Sequence, residues 1–149
     1  MTNAWRDLDA YTNLPRLGSL EISPQGRVLV SVAHRNRERT GYRSSWWELD
    51  PEGQRPARRL TRSEEGEGFG TFTADGDFLF GSKRPVPGTD ETKPDEDDGV
   101  VWLLPAEGGE AHPVARRSGG FSGVVAATGS RTVIACTPAH ISEIGRAHV

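Results

Sequence analysis

The chain has 149 residues with 34% apolar side chains and a formal net charge of −3, which suits one soluble domain and argues against broad nucleic-acid binding. Its longest uncharged apolar run falls far short of a bilayer span, and the start, Met1-Thr2-Asn3-Ala4-Trp5-Arg6-Asp7, has no charged opening followed by an apolar stretch, so neither a membrane segment nor a secretory leader is expected. The lone Cys136 excludes an internal disulfide and offers no paired metal ligand, and a cytoplasmic protein is the natural expectation.

In chain order, residues 5–13 read as a short helix with Leu8 and Tyr11 on one side. Leu17 to Ile22 reads as a strand, and Ser23-Pro24-Gln25-Gly26 as a tight turn, since proline fixes φ and glycine accepts positive φ. A β-branched strand follows from Arg27 to Val32, with Val28, Val30 and Val32 on one face. A polar, Arg-rich connection over His34–Tyr42 leads to a third strand, Ser44–Leu49. Asp50-Pro51-Glu52-Gly53 then turns the chain into a fourth, Ala57–Thr61.

The plan then recurs. Phe69–Thr73, the turn Ala74-Asp75-Gly76, and Asp77–Ser82 repeat the first hairpin. Val100–Leu104, with Trp102 in the place of Trp47, and Ala111–Ala115 complete the set. The extra length lies in one acidic connection, Lys83–Gly99, as is usual for insertions. A third copy begins with Phe121–Ala126, turns at Thr128-Gly129, and runs through Thr132–Cys136. A period of about fifty residues made of short strands predicts an all-β chain, a partial β-propeller of about two and a half four-stranded antiparallel blades. The expected divisions are a lead segment 1–16, blade one 17–66, blade two 67–118, an incomplete blade three 119–142, and a tail 143–149. The tail, Glu143-Ile144-Gly145-Arg146-Ala147-His148-Val149, has no counterpart in the repeat and matches the translation of a common short-read sequencing adapter; it is expected to be artefactual, the chain being a truncated fragment.

Asp7-Leu8-Asp9-Ala10-Tyr11, Leu14-Pro15-Arg16-Leu17-Gly18 and Ile22-Ser23-Pro24-Gln25-Gly26, together with Trp47-Glu48-Leu49-Asp50 and Arg59-Leu60-Thr61, resemble the N-terminal propeller of prolyl-oligopeptidase-type (S9) serine peptidases, in the acylaminoacyl peptidase and dipeptidyl aminopeptidase branch. The resemblance spans residues 5–137. It implies a propeller that gates small peptides into a C-terminal α/β-hydrolase domain, whose Ser-Asp-His triad places the serine on a Gly-x-Ser-x-Gly elbow. No such elbow occurs here: Gly120-Phe121-Ser122-Gly123 lacks the spacing, and His34, His112, His140 and His148 have no nucleophile motif beside them. No catalytic, cofactor-binding or metal residue is therefore expected in this chain, and its implied partners are peptide substrate and the absent hydrolase domain. The alternative is a non-catalytic propeller that binds a protein or ligand.

Five features carry a sharper reading beside a plain one. Glu64-Glu65 resembles the paired glutamates with which some dipeptidyl peptidases hold a substrate amino terminus, but reads as a solvated loop without their helix. The acidic run 90–98 offers carboxylates to calcium, yet lacks alternating ligands and a terminal bidentate Glu. Gly66-Glu67-Gly68-Phe69-Gly70 precedes a strand and so lacks the helix N-terminus of a phosphate loop. Arg35, Arg37, Arg39 and Arg43 form a basic cluster for an acidic partner surface, or ordinary surface arginines. Cys136 reads as a small buried hydrophobe.

Overall fold

In the computed structural model the described residues are 6–88 and 98–138. One short helix, α1 (Leu8–Thr12), precedes ten strands: β1 (Arg16–Ile22), β2 (Val28–Arg35), β3 (Tyr42–Leu49), β4 (Arg58–Arg59), β5 (Glu67–Phe72), β6 (Phe78–Ser82), β7 (Asp98–Leu104), β8 (His112–Ser118), β9 (Gly123–Ala126) and β10 (Val133–Cys136). They form two four-stranded antiparallel sheets, β1-β2-β3-β4 and β5-β6-β7-β8, and a two-stranded sheet of β9 and β10. The chain is all-β apart from α1, as the sequence pattern predicts. Among the described residues no helix is long and apolar enough to cross a membrane.

The two large sheets repeat each other in detail. Leu20 pairs with Val30 and Ile22 with Val28, while Gly70 pairs with Phe80 and Phe72 with Phe78. A register break falls between Leu17 and Leu20 in one sheet and between Glu67 and Gly70 in the other. On the far side Val30 faces Trp47 and Phe80 faces Trp102, so the two tryptophans occupy one repeat position. The joints match too. Gly26 and Gly76, at φ 84° and 91°, each donate an N–H to the residue three back, Ser23 and Thr73; a side chain with Cβ would be strained at either position. Gly53 and Gly108 close the next turns on the carbonyls of Asp50 and Pro105.

Because successive strand residues alternate between faces, each sheet has a rear face (Val28, Val30, Val32 and Trp47 in the first) and a forward face (Leu29 and Trp46). Forward packs on rear. Leu29 and Trp46 meet Phe72, Phe78, Phe80, Val100 and Trp102 of the second sheet, a buried cluster at the centre of the molecule. Leu79 and Val101, on the forward face of the second sheet, meet Val124 of the third. β5 thus touches β1 on one side and β9 on the other. Gly70 is where the first interface presses hardest: a Cβ there would lie 2.7 Å from Trp46 Cζ2 and would also strike the Phe78 ring.

Several boundaries differ from the expected ones. β4 is only two residues long, since Arg58 and Arg59 alone pair with Glu48 and Trp47; Leu60 and Thr61 instead bend inward, where their N–H groups reach the Trp46 carbonyl and Thr61 Oγ1 accepts from Trp46 N. β3 begins at Tyr42 rather than Ser44, and β8 runs to Ser118. The predicted helix over 5–13 contracts to Leu8–Thr12, capped by the Asp7 carboxylate. Tyr42 Oη donates to the Thr12 carbonyl and Arg35 to Thr12 Oγ1, fastening α1 to the first sheet. Residues 139–149, including the anomalous tail, lie outside the described residues.

Candidate functional site

The chemistry that stands out is a buried acid–base pair at the strand end opposite the tight turns. Glu67 opens β5, its side chain fully removed from solvent, and Arg84 follows β6 with its Nη2 3.6 Å from Glu67 Oε1. The guanidinium of Arg84 sits 4.9 Å from the Phe80 ring centre and 4.5 Å from that of Trp102, in cation–π contact with both. Its Nε and main-chain N–H reach Ser82 Oγ. Glu67 Oε1 also accepts the Ser63 N–H at a long 3.4 Å. Neither Glu67 Oε2 nor Arg84 Nη2 makes a well-formed hydrogen bond.

Burial dominates the electrostatics of the pair. Desolvation pushes the Glu67 carboxyl above its ordinary range; the Arg84 charge, the Thr61 hydroxyl and the Ser63 N–H oppose this only in part. Desolvation likewise lowers the affinity of Arg84 for its proton, with Glu67 opposing. A more solvated acid behaves oppositely. Burial raises the Glu48 carboxyl too, but the hydrogen bonds and charges of Arg58 and Arg27, at 2.6 and 2.8 Å, outweigh it and hold Glu48 below the usual range.

Beside Glu67 lies a cavity of about 310 Å³ walled by Tyr42, Arg43, Glu65, Phe69, Lys83 and Phe121, with glycines 66, 68, 81 and 99 completing it. It opens where all three sheets converge on β5. Its polar and aromatic walls suit holding a small polar group. Cutting a bond there would need a nucleophile with a base beside it, and no histidine lines the cavity.

The residues singled out from sequence are scattered. Glu64 is exposed while Glu65 ion-pairs with Arg43 at 3.7 Å, in a bend without a helix; they do not act as a pair. Gly66–Gly70 runs into β5, not a helix. In the arginine group, Arg35 bonds Thr12 Oγ1 and the Arg39 carbonyl, Arg43 faces Glu65, and Arg37 and Arg39 are exposed; the four do not converge. Of the acidic run, 90–97 lie outside the described residues and Asp98 opens β7. Among the described residues no cluster of His, Cys, Asp and Glu could hold a metal. His34 leans on Trp47 at 6.2 Å, His112 is exposed on β8, and His140 and His148 lie outside the described residues. Ser122 donates its N–H to the Cys136 carbonyl on the way into β9, with no elbow.

Two expectations are corrected. Cys136 is exposed, not buried, because it lies on the forward face of β10, which no sheet covers. The uncovered apolar residues of the third sheet were expected to include Val124; alternation instead buries Val124 against the second sheet and leaves Val125 and Ile134, 60% and 62% exposed, outside.

Glu67 and Arg84 escaped sequence reading. The signal was present: set the copies in register and Glu67 falls where Leu17 stands, and Arg84 where His34 stands. Two charges at pleat positions facing a neighbouring sheet mark a site. No protein-family model matches this chain, and no curated protein matches it.

Proposed function

We propose that this chain supplies successive blades of a β-propeller belonging to a serine peptidase of the prolyl-oligopeptidase type, which admits small peptides to an α/β-hydrolase domain in the cytoplasm. One observation carries the propeller reading. Two antiparallel four-strand meanders share register, bulge and turns, and stack forward face on rear face with their first strands adjacent and a third sheet continuing the series. That radial repetition is how propellers bury sheet faces. The peptidase reading rests on the lead segment and first-turn motifs, from Asp7 to Gly26. In such an enzyme these blades would shape the passage taken by the peptide, and the cavity at Glu67 would lie along it. The triad would belong to the hydrolase domain, since no Gly-x-Ser-x-Gly occurs among the 149 residues.

The test is to resequence the gene across the codons for Ile141 to Val149. The expected result is an open frame that completes the third blade, adds further blades of about fifty residues, and then encodes a Gly-x-Ser-x-Gly elbow followed by Asp and His. The purified 149-residue chain should not hydrolyse aminoacyl or short peptide esters above background. A frame with more blades and no elbow would favour a binding propeller; a stop codon directly after Val149 would defeat the peptidase reading.

A further inference from the structure

Each interface inside this molecule joins a forward face to a rear face, which leaves one face of each kind uncovered. The rear face of the first sheet carries Leu17, Leu20 and Ile22, exposed by 75%, 58% and 62%. The forward face of the third sheet carries Val125 and Ile134, and beside them Cys136, which is exposed. Apolar residues clustered on an accessible sheet face mark an association surface.

The repeat also states which residues would meet. Taking the strand that follows each tight turn, Ile134 stands where Leu29 and Leu79 stand, as second residue of β10, β2 and β6. Leu29 packs in the cluster that contains Phe72, and Leu79 packs against Val124. Phe72 and Ile22 close their strands at one position, each pairing with the first residue of the next. Val124 and Leu20 likewise lie two residues before their strand ends. A forward face led by Ile134 therefore fits a rear face led by Leu20 and Ile22.

We propose that this chain self-associates head to tail, the forward face of β9–β10 in one copy seated on the rear face of the first sheet in another, continuing the internal stack from molecule to molecule. The contact is heterologous: it pairs two different patches, so it can propagate or close a ring but has no twofold axis. It is independent of the peptidase reading, because it rests on the stacking alone.

The test uses the full chain with Leu20→Asp, Ile134→Asp and wild type, followed by sedimentation velocity across a concentration series, with far-UV circular dichroism to confirm folding. Wild type is expected to exceed monomer mass as concentration rises. Each variant alone should stay monomeric, since each keeps only one usable face. An equimolar mixture should give a heterodimer of twice the monomer mass and stop there. If either substitution unfolds the chain, Ile22→Asp and Val125→Asp take their places on the same two faces. A wild type that stays monomeric overturns the proposal, as does a mixture that fails to pair. Continued association of Ile134→Asp alone would mean that rear faces pair with each other, and that too would overturn it.

Discussion

Replacing Phe78 by alanine probes the stacking at its centre. Phe78 is fully buried, and its ring lies 4.9 Å from Trp46 edge-on, 5.1 Å from Phe72 and 6.0 Å from Phe80. Truncating a core phenylalanine costs about 3–5 kcal/mol. The upper part of that range is expected, because the walls of the cavity are rings anchored in two different sheets and the adjacent Gly70 has no side chain to move in. The same repeat position in the first sheet is Val28, half-buried on the uncovered rear face. Val28→Ala removes two carbons that are partly wet already, and should cost about 1 kcal/mol at about 0.8 kcal/mol per fully buried methylene. Urea denaturation followed by tryptophan fluorescence separates the two. With a slope of about 2 kcal/mol per molar, Phe78→Ala should lower the midpoint by about 2 M and Val28→Ala by about 0.5 M. Equal midpoint shifts would falsify the assignment of Phe78 to an inter-sheet core.

Further outcomes follow from single contacts. Gly70→Ala should cost about 1–3 kcal/mol by overpacking against Trp46 and Phe78, whereas Gly68→Ala, whose nearest new contact is Gly81 O at 3.9 Å, should leave the melting temperature unchanged. Glu67→Gln should gain stability relative to wild type as pH rises. The raised Glu67 carboxyl favours folding when protonated, and that contribution is lost as pH climbs through its elevated folded-state value; denaturation of both proteins at a series of pH values would show the difference flat if the carboxyl were unperturbed. Glu48 runs the other way. Its depressed carboxyl contributes stability above the ordinary carboxylate range that disappears as pH falls through the folded value, so wild type should lose its advantage over Glu48→Gln on acidification.

The repeat was legible because its punctuation is chemical. Gly26 and Gly76 sit at positive φ, Pro24 and Pro51 lie inside turns, and the alternation of Val28, Val30 and Val32 fixes a face. Strand ends were less legible, since pairing at an edge depends on the partner: Leu60 and Thr61 have the look of strand, yet Trp46 draws their backbone inward. The Glu67–Arg84 pair was hidden for a related reason. Charge normally signals solvent, and only the stacking of Trp102 and Phe80 around Arg84 shows these charges turned inside. Even Cys136, read as buried from an apolar strand, depended on whether another sheet lay beyond it.

The outer strands have a consequence for how the molecule avoids precipitation. β4 consists of Arg58 and Arg59, and β8 carries Pro113 together with Arg116 and Arg117. A strand at a sheet margin leaves a row of main-chain donors and acceptors open, and charge, brevity and proline are the usual defences against illicit ladder growth. Here two such margins brought side by side would force guanidinium groups together and meet a residue that has no N–H to give. Amyloid-like lateral pairing is thereby discouraged along the circumference, even though the broad surfaces of the terminal sheets are greasy.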